Sequence, residues 1–429
     1  MFQTFKNAWK IADLRKKILF TFFIILIFRI GAAIPVPFLD KAVLAGMIGE
    51  GSLFGYFDIL TGGAFANATI FALSVTPYIN ASIIINLLTI AIPVLERLSK
   101  EGEEGKKKIQ KITRFATLAL AIITAVGYYI VLNSHGAVTK TGGAKVFAAI
   151  VIITTFVAGA MLVMWLGDQC TSKGIGNGIS MLIFAGIISR GPQLVKSLIA
   201  YIQMAISGET KYFILVPVMV ILFAVVVLFI IFMTVAERRI PIQYAKRVVG
   251  RKMYGGQSTN LPIKVNMSGV LPVIFASAFL SIPTTIKMFV NVPAESGWNT
   301  FFNLFSYTSW LYALIYLLLI IAFNYFYVAV QYNPIEIANN LRRNNGGIPG
   351  IRPGKPTSDF IAKVVSKITL IGAIFLAIVA TAPIILGTVT GMNLALSGTS
   401  VIIIVGVALE TTKSMESQMM MRHYKGFLE

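Results

Sequence analysis

Residues 97–132 read RLSKEGEEGKKKIQKITRFATLALAIITAVGYYIVL. The first half, Arg97 to Arg114, carries seven Lys and Arg; the second, Phe115 to Leu132, carries no charge at all. An uncharged apolar run close to 20 residues suits a bilayer span, and a basic flank stays on the cytoplasmic side of it. The same junction recurs along the chain, which is 56% hydrophobic with a mean hydropathy of +0.80, yet has a net charge of +20. These values fit together if apolar segments lie in the membrane and basic loops gather on one face. A soluble chain of 429 residues would make about three domains. Recurrent apolar runs point instead to one polytopic membrane domain.

Ten spans are predicted: Ile18–Ile34, Phe71–Val94, Phe115–Leu132, Phe147–Leu166, Gly178–Ser189, Phe213–Val235, Gly269–Val290, Trp310–Val330, Ile368–Leu386 and Thr399–Thr412. The fifth and tenth are short and need neighbours or an aqueous cavity to support them. With the N-terminus inside, 29 of the 37 Lys and Arg fall on the cytoplasmic side, 7 fall outside, and Arg29 lies within the first span. This bias places both termini in the cytoplasm. No cleavable signal peptide is expected, because the first apolar run leads into Pro35-Val36-Pro37 rather than a small-residue cleavage site. Two basic excursions, Val235–Met267 and Gln331–Lys367, are longer than a simple bundle needs.

The spans are poor in the chemistry that other membrane proteins use. Pumps and ion-coupled transporters keep ionisable groups at mid-membrane; here Arg29, Glu410 and Lys413 sit towards span ends. Asn80, Ser82, Asn86, Ser277, Ser281 and Asn324 are mild polar residues, suited to helix–helix hydrogen bonds or to a water-facing gate. The chain has no P-loop, H-E-x-x-H or G-x-S-x-G motif, so neither an enzyme nor a cofactor is expected. One cysteine, Cys170, and two distant histidines, His135 and His423, offer no metal site. Gly174-Ile175-Gly176-Asn177-Gly178 reads as a tight turn opening the fifth helix rather than a phosphate cradle. Residues Asp58 to Asn67 are too few to span, and form either an outside loop or a re-entrant half-helix.

Several stretches, spread from Leu14 to Met420, resemble the SecY family, the channel-forming subunits of the Sec protein-translocation machinery. They include Phe28-Arg29-Ile30-Gly31, Gly62-Gly63-Ala64, Pro77-Tyr78-Ile79-Asn80-Ala81-Ser82, Met164-Trp165-Leu166-Gly167, Gly174–Ser180, Tyr244-Ala245-Lys246-Arg247, Leu261-Pro262-Ile263-Lys264-Val265-Asn266 and Pro349-Gly350-Ile351-Arg352-Pro353-Gly354. Each alone is weak; their joint order and spacing are specific. The resemblance implies an all-α polytopic protein whose ten transmembrane helices form two inverted five-helix halves. These halves, 1–192 and 193–429, make a clamshell around a central pore, with a short plug half-helix.

By the same resemblance, the pore ring matches Val75, Ile79, Ile179, Ile183, Ile274 and Ile403. A narrow apolar neck sheds water and holds back ions, while its side chains part around a peptide. The plug matches Asp58, Thr61, Gly62, Gly63, Ala64, Phe65 and Asn67. The lateral gate, where a signal sequence leaves for lipid, matches Asn86, Ser277 and Ser281. Docking of the SecA motor ATPase and of the ribosome, through rRNA backbone contacts, matches Arg238, Arg239, Lys246, Arg247, Arg251 and Lys252 in the first long loop. In the second it matches Arg342, Arg343, Arg352 and Lys355. Further implied partners are SecE-type and SecG-type small membrane subunits and preprotein signal sequences. Anionic lipids are expected from the basic loops themselves.

The implied function is a protein-conducting channel of the bacterial plasma (inner) membrane that passes unfolded preproteins across and releases hydrophobic segments sideways. The competing reading is a secondary transporter of a small solute, which also uses repeats and broken helices. The lack of mid-span charge and the two large basic loops disfavour it. A lipid scramblase would need a continuous polar stripe, which the sequence lacks.

Overall fold

The computed structural model describes residues 2–40, 43, 63–65, 67–140, 144–244, 247–249, 252–254, 258–289, 297–305, 309–390 and 398–425. Most of them are helical. The N-terminal part comprises α1 (Phe2–Lys10), α2 (Ala12–Gly31), α3 (Thr76–Ala91), α4 (Pro93–Lys100), α5 (Glu103–Ser134), α6 (Ala144–Lys173) and α7 (Gly178–Ile188). The remainder comprises α8 (Gly191–Ile206), α9 (Lys211–Val235), α10 (Leu271–Phe289), α11 (Gly297–Leu304), α12 (Trp310–Gln331), α13 (Pro334–Arg343), α14 (Lys355–Thr390) and α15 (Gly398–Lys425). Five short strands are β1 (Glu237–Tyr244), β2 (Arg247–Val249), β3 (Lys252–Tyr254), β4 (Ser258–Lys264) and β5 (Gly346–Gly347).

Among the described residues, seven helices are long and apolar enough to cross a membrane, or eight if α3 and the start of α4 are one bent span. Two of the ten predicted spans lie outside that set. The first corresponds to α2, whose opening turns carry Arg15, Lys16 and Lys17; the seventh corresponds to α10, apolar over Leu271–Leu280. The second span differs from its predicted course, straight from Phe71 to Val94. Residues 71–75 form turns, with the Ser74 amide donating to Phe71 O at 2.9 Å and the Thr76 amide to Leu73 O at 3.2 Å. At the far end the axis bends by 105° between Ala91 and Pro93. Proline lacks an amide hydrogen and pushes the preceding residue out of the helical region, and Ile92 accordingly sits at φ −107°, ψ 113°.

The fifth span was expected to end at Ser189, and α7 does stop at Ile188 with Ser189 as its C-cap; α8 resumes at Gly191, so the two together form one apolar stretch, Gly178–Ile206. Other helices overshoot the bilayer. α14 has 36 residues, about 54 Å of helix against a hydrocarbon core of about 30 Å. Its N-terminal turns lie in the second basic excursion, where Ile361, Val365 and Ile368 share one buried face.

The first basic excursion is a β-structure. β1 and β4 pair antiparallel from Glu237↔Lys264 to Gln243↔Ser258, and β5 joins the other edge of β1. β2 and β3 form a second small hairpin from Arg247↔Tyr254 to Val249↔Lys252. Along β1, Ile240 and Ile242 are buried while Arg239, Pro241 and Gln243 face out, the period-two pattern of a strand with one covered face. The buried face packs with Ile263, Leu341, Ile348, Ile361 and Val365 into a core distinct from that of the spans.

Most apolar clusters draw on one side of position 192 only. One joins Val36, Phe65 and Ala72 to α5 and α6, and another joins α2, Val75, α6 and α7. A third joins α9, α10, α12, α14 and α15. Two smaller clusters cross over: Ile187 packs with Ile403 and Val407, and Ala8, Leu14, Ile18 and Ile175 pack with Met415.

Candidate functional site

The turn Gly174–Asn177 sets the position of α7. Asn177 caps the helix, its side chain accepting from the amides of Ile179 (3.1 Å) and Ser180 (3.3 Å). The Gly178 amide donates to Thr171 Oγ1 at 2.9 Å, and that of Ile175 to Thr21 Oγ1 at 3.2 Å. A Cβ on Gly178 would lie 2.2 Å from Gly167 O, so only glycine lets α7 approach α6 this closely. The glycines therefore serve helix packing, as the turn reading expected.

This packing aims Ile179 and Ile183, one helical turn apart, at the cluster holding Val75, Leu182 and Val163, against which Ile79 also rests. Ile183 belongs equally to the cluster of Ile187, Ile403 and Val407. Five of the six predicted ring residues are thus linked through one side chain. Val75 and Ile403 are buried, whereas Ile79, Ile179 and Ile183 are half-buried. The sixth, Ile274, is half-buried on α10 and its carbonyl accepts the Ser277 hydroxyl at 2.8 Å. Leu182, Ile187 and Val407 join this apolar centre without having been singled out in the sequence. Their signal was weak, because an aliphatic residue in an aliphatic span looks like any other.

Of the predicted plug, Asp58, Thr61 and Gly62 lie outside the described residues. Gly63, Ala64, Phe65 and Asn67 are held in place. Gly63 takes φ +88°, and Asn67 Nδ2 donates to its carbonyl at 2.8 Å. Phe65 is buried and stacks on Tyr128 of α5, whose hydroxyl donates to Phe65 O at 2.9 Å. The Thr69 hydroxyl donates to Ala64 O at 3.1 Å. Further along the chain, Phe71 stacks on Phe28 with ring centroids 5.9 Å apart. Tyr128 escaped the sequence reading, although a tyrosine deep in an apolar span must find an acceptor for its hydroxyl.

The predicted gate residues fall on α3 and α10. Asn86 is exposed, and its carbonyl accepts the Thr89 hydroxyl at 2.6 Å. Ser277 is buried, bonded within its own helix, and the side chain of Ser281 lies outside the description. α10 touches α5 directly, so a seam between the earlier and later spans runs along it.

The basic candidates sit on the strand-built platform. Arg238 and Arg239 are exposed on β1, and Arg239 Nε bonds Glu237 Oε1 at 2.8 Å. Lys246 and Arg251 lie outside the described residues; Arg247 and Lys252 are placed by their backbone on β2 and β3. Arg342 and Arg343 end α13 and are exposed. Arg352 is exposed on the loop into α14, and its carbonyl is tied by the Thr357 hydroxyl at 2.8 Å. Gly350 (φ +80°) and Gly354 (φ +103°) bracket it in the left-handed region. Lys355 follows, exposed, at the first position of α14.

A polytopic helical membrane protein with an apolar centre, a tethered turn beside it and a basic β-platform is a narrow class. The SecY family model matches residues 69–412. Protein translocase subunit SecY of Thermotoga maritima is 43% identical, covering 100% of this chain and 98% of its own length. Its namesake in Bacillus licheniformis is 41% identical over 100% of both. A solved structure titled as that of a protein conducting channel superposes with a TM-score of 0.63 at 16% identity, covering 94% of this chain and 92% of its own. Sec61 in the canine ribosome-channel complex gives a TM-score of 0.58 at 16% identity over 94% and 92%. The chain belongs to the SecY family.

Proposed function

We propose that the chain is the protein-conducting channel of a Sec translocase, passing unfolded, signal-bearing preproteins across the membrane and releasing hydrophobic segments into it. The observation that carries this reading is the position of Ile183. It joins the apolar residues of α3, α6 and α7 to Ile403 and Val407 of α15, which supports a constriction drawn from both parts of the chain. Val75, Ile79, Ile179, Ile183, Ile274 and Ile403 form the ring, and its dryness keeps ions out at rest. The largely one-sided apolar clusters support two halves, 1–192 and 193–429, that part around the ring. The turn from Gly63 to Asn67 ends the plug. The gate opens where α10 meets α5, which in turn packs on α3, and Asn86, Ser277 and Ser281 serve it.

The channel itself catalyses nothing; force comes from outside. The basic platform takes that partner, either SecA or the ribosome. Arginine suits both, since its planar fork grips carboxylate and phosphate. SecE-type and SecG-type subunits complete the complex, and anionic lipid borders the basic loops. The positive bias sets the platform and both termini on the cytoplasmic side of a bacterial plasma membrane.

The test reconstitutes the chain with its small subunits in liposomes, adds SecA and ATP, and measures protease protection of a signal-bearing precursor. Protection is expected to need ATP and to disappear with Arg352→Glu, while the variant complex assembles normally. Normal transport by that variant would overturn the docking assignment. No transport by the intact complex, with SecA or with translating ribosomes, would overturn the channel reading.

A further inference from the structure

The channel reading leaves α1 without a task. Its sequence, FQTFKNAWK, holds two lysines and no acid. One face is docked: Ala8 is fully buried with Leu14, Ile18, Ile175 and Met415, and the Thr4 hydroxyl donates to Glu416 at 3.0 Å. The helix is therefore fixed against the starts of α2 and α7 and the late turns of α15. Its other face carries Phe5 and Trp9, four residues apart and so on one side of the helix. Their rings stack with centroids 6.1 Å apart, and they are 42% and 41% exposed. Lys6 and Lys10 are exposed as well.

Two large aromatic rings held side by side at a surface call for an apolar cover. The cover is identified by place and charge. The arm holds Lys6, Lys10, Arg15, Lys16 and Lys17 against a single acid, Asp13. α2 runs from those basic residues straight into the first apolar run, so α1 sits at the level where hydrocarbon gives way to headgroups. Amphipathic helices with Trp and Phe on one side and Lys beside them lie in that layer, and bind anionic lipid best. We propose that α1 is an interfacial anchor, with Phe5 and Trp9 in the acyl boundary and Lys6 and Lys10 on anionic lipid phosphates. The proposal rests on the channel reading only in requiring a bilayer around α2. Because α1 also grips α15, anchoring it would fix the joint between the first and last helices.

The experiment uses the full chain with Trp165, Trp298 and Trp310 each changed to Phe, leaving Trp9 as the only tryptophan. The protein is placed in nanodiscs of brominated phosphatidylcholine, with and without phosphatidylglycerol. The expected result is blue-shifted Trp9 emission, quenched most by bromines near the headgroups and severalfold more strongly with phosphatidylglycerol. Lys6→Gln with Lys10→Gln should abolish the phosphatidylglycerol dependence and leave thermal unfolding unchanged. Unquenched emission in both lipids would overturn the proposal. Equal quenching in both would overturn the anionic assignment. Shielding from aqueous acrylamide without bromine quenching would show a protein contact and overturn it too. None of these readouts depends on transport, so failure of the channel reading and failure of the anchor are separable.

Discussion

Tyr128 covers Phe65 with its ring, centroids 4.4 Å apart, and donates its hydroxyl to the Phe65 carbonyl at 2.9 Å. The helix α5 thus holds the end of the proposed plug by an apolar contact and a hydrogen bond at once. Tyr128→Phe keeps the stack and removes the bond, worth about 1 kcal/mol, or roughly a fivefold shift in plug occupancy. We expect halide leak through resting proteoliposomes to rise by about that factor. Unchanged leak would mean that Asn67 and Thr69 suffice to hold the turn.

Gly178 and Gly191 differ in what a methyl group would meet. At Gly178 a Cβ lies 2.2 Å from Gly167 O; at Gly191 nothing stands within 4 Å. Gly178→Ala should cost about 1–3 kcal/mol as α7 is pushed off α6. Gly191→Ala should be neutral or slightly stabilising. Thermal melting in detergent compares the two, and equal melting temperatures would refute the account of the turn.

Ile183 sits where two apolar clusters meet. If the proposed neck lies here, Ile183→Asn puts a hydrogen-bonding group into it and should wet it, raising resting ion conductance by at least severalfold. Ile183→Leu keeps the volume and should leave conductance near the starting value. Single-channel recording separates wetting from general loosening, since only the first distinguishes Asn from Leu.

Asn86 is exposed on α3, and at the proposed gate an intramembrane hydrogen bond would be worth roughly 0.6–2 kcal/mol. Asn86→Leu should shift the gate equilibrium by a comparable amount. The readout is translocation of a preprotein with a weakened signal sequence, for which gate opening limits entry. Unchanged translocation would remove Asn86 from the gate.

The membrane character and most helices were legible in the chain because they depend on local properties. Phe213–Val235 and Trp310–Val330 were bounded almost to the residue by the change from apolar to polar neighbours. The start of α7 was legible too, because Asn177 and the flanking glycines announce a cap. Family motifs carried further, singling out isoleucines that composition could not tell from lipid-facing ones; with Val75, four of them pack into two clusters joined at Ile183.

Composition of the two long excursions announced basic projections but not their form. Ile240 and Ile242 alternate with exposed residues over too short a run to declare a strand, and its partner β4 lies beyond a second hairpin. The N-terminal turns of α14 were invisible for a similar reason: their apolar face is matched by Ile242 and Ile263, far away in the chain.

By itself, then, the sequence determined that this protein lives in a bilayer and to which family it belongs. Hydropathy, charge and short motifs are written residue by residue. Tertiary structure alone decided that Ile183 meets Ile403, that Tyr128 holds Phe65, and that α1 rests on α15 with Phe5 and Trp9 left bare. Each is a meeting of segments whose side chains carry no mark of their partner until packing brings them within a few ångströms.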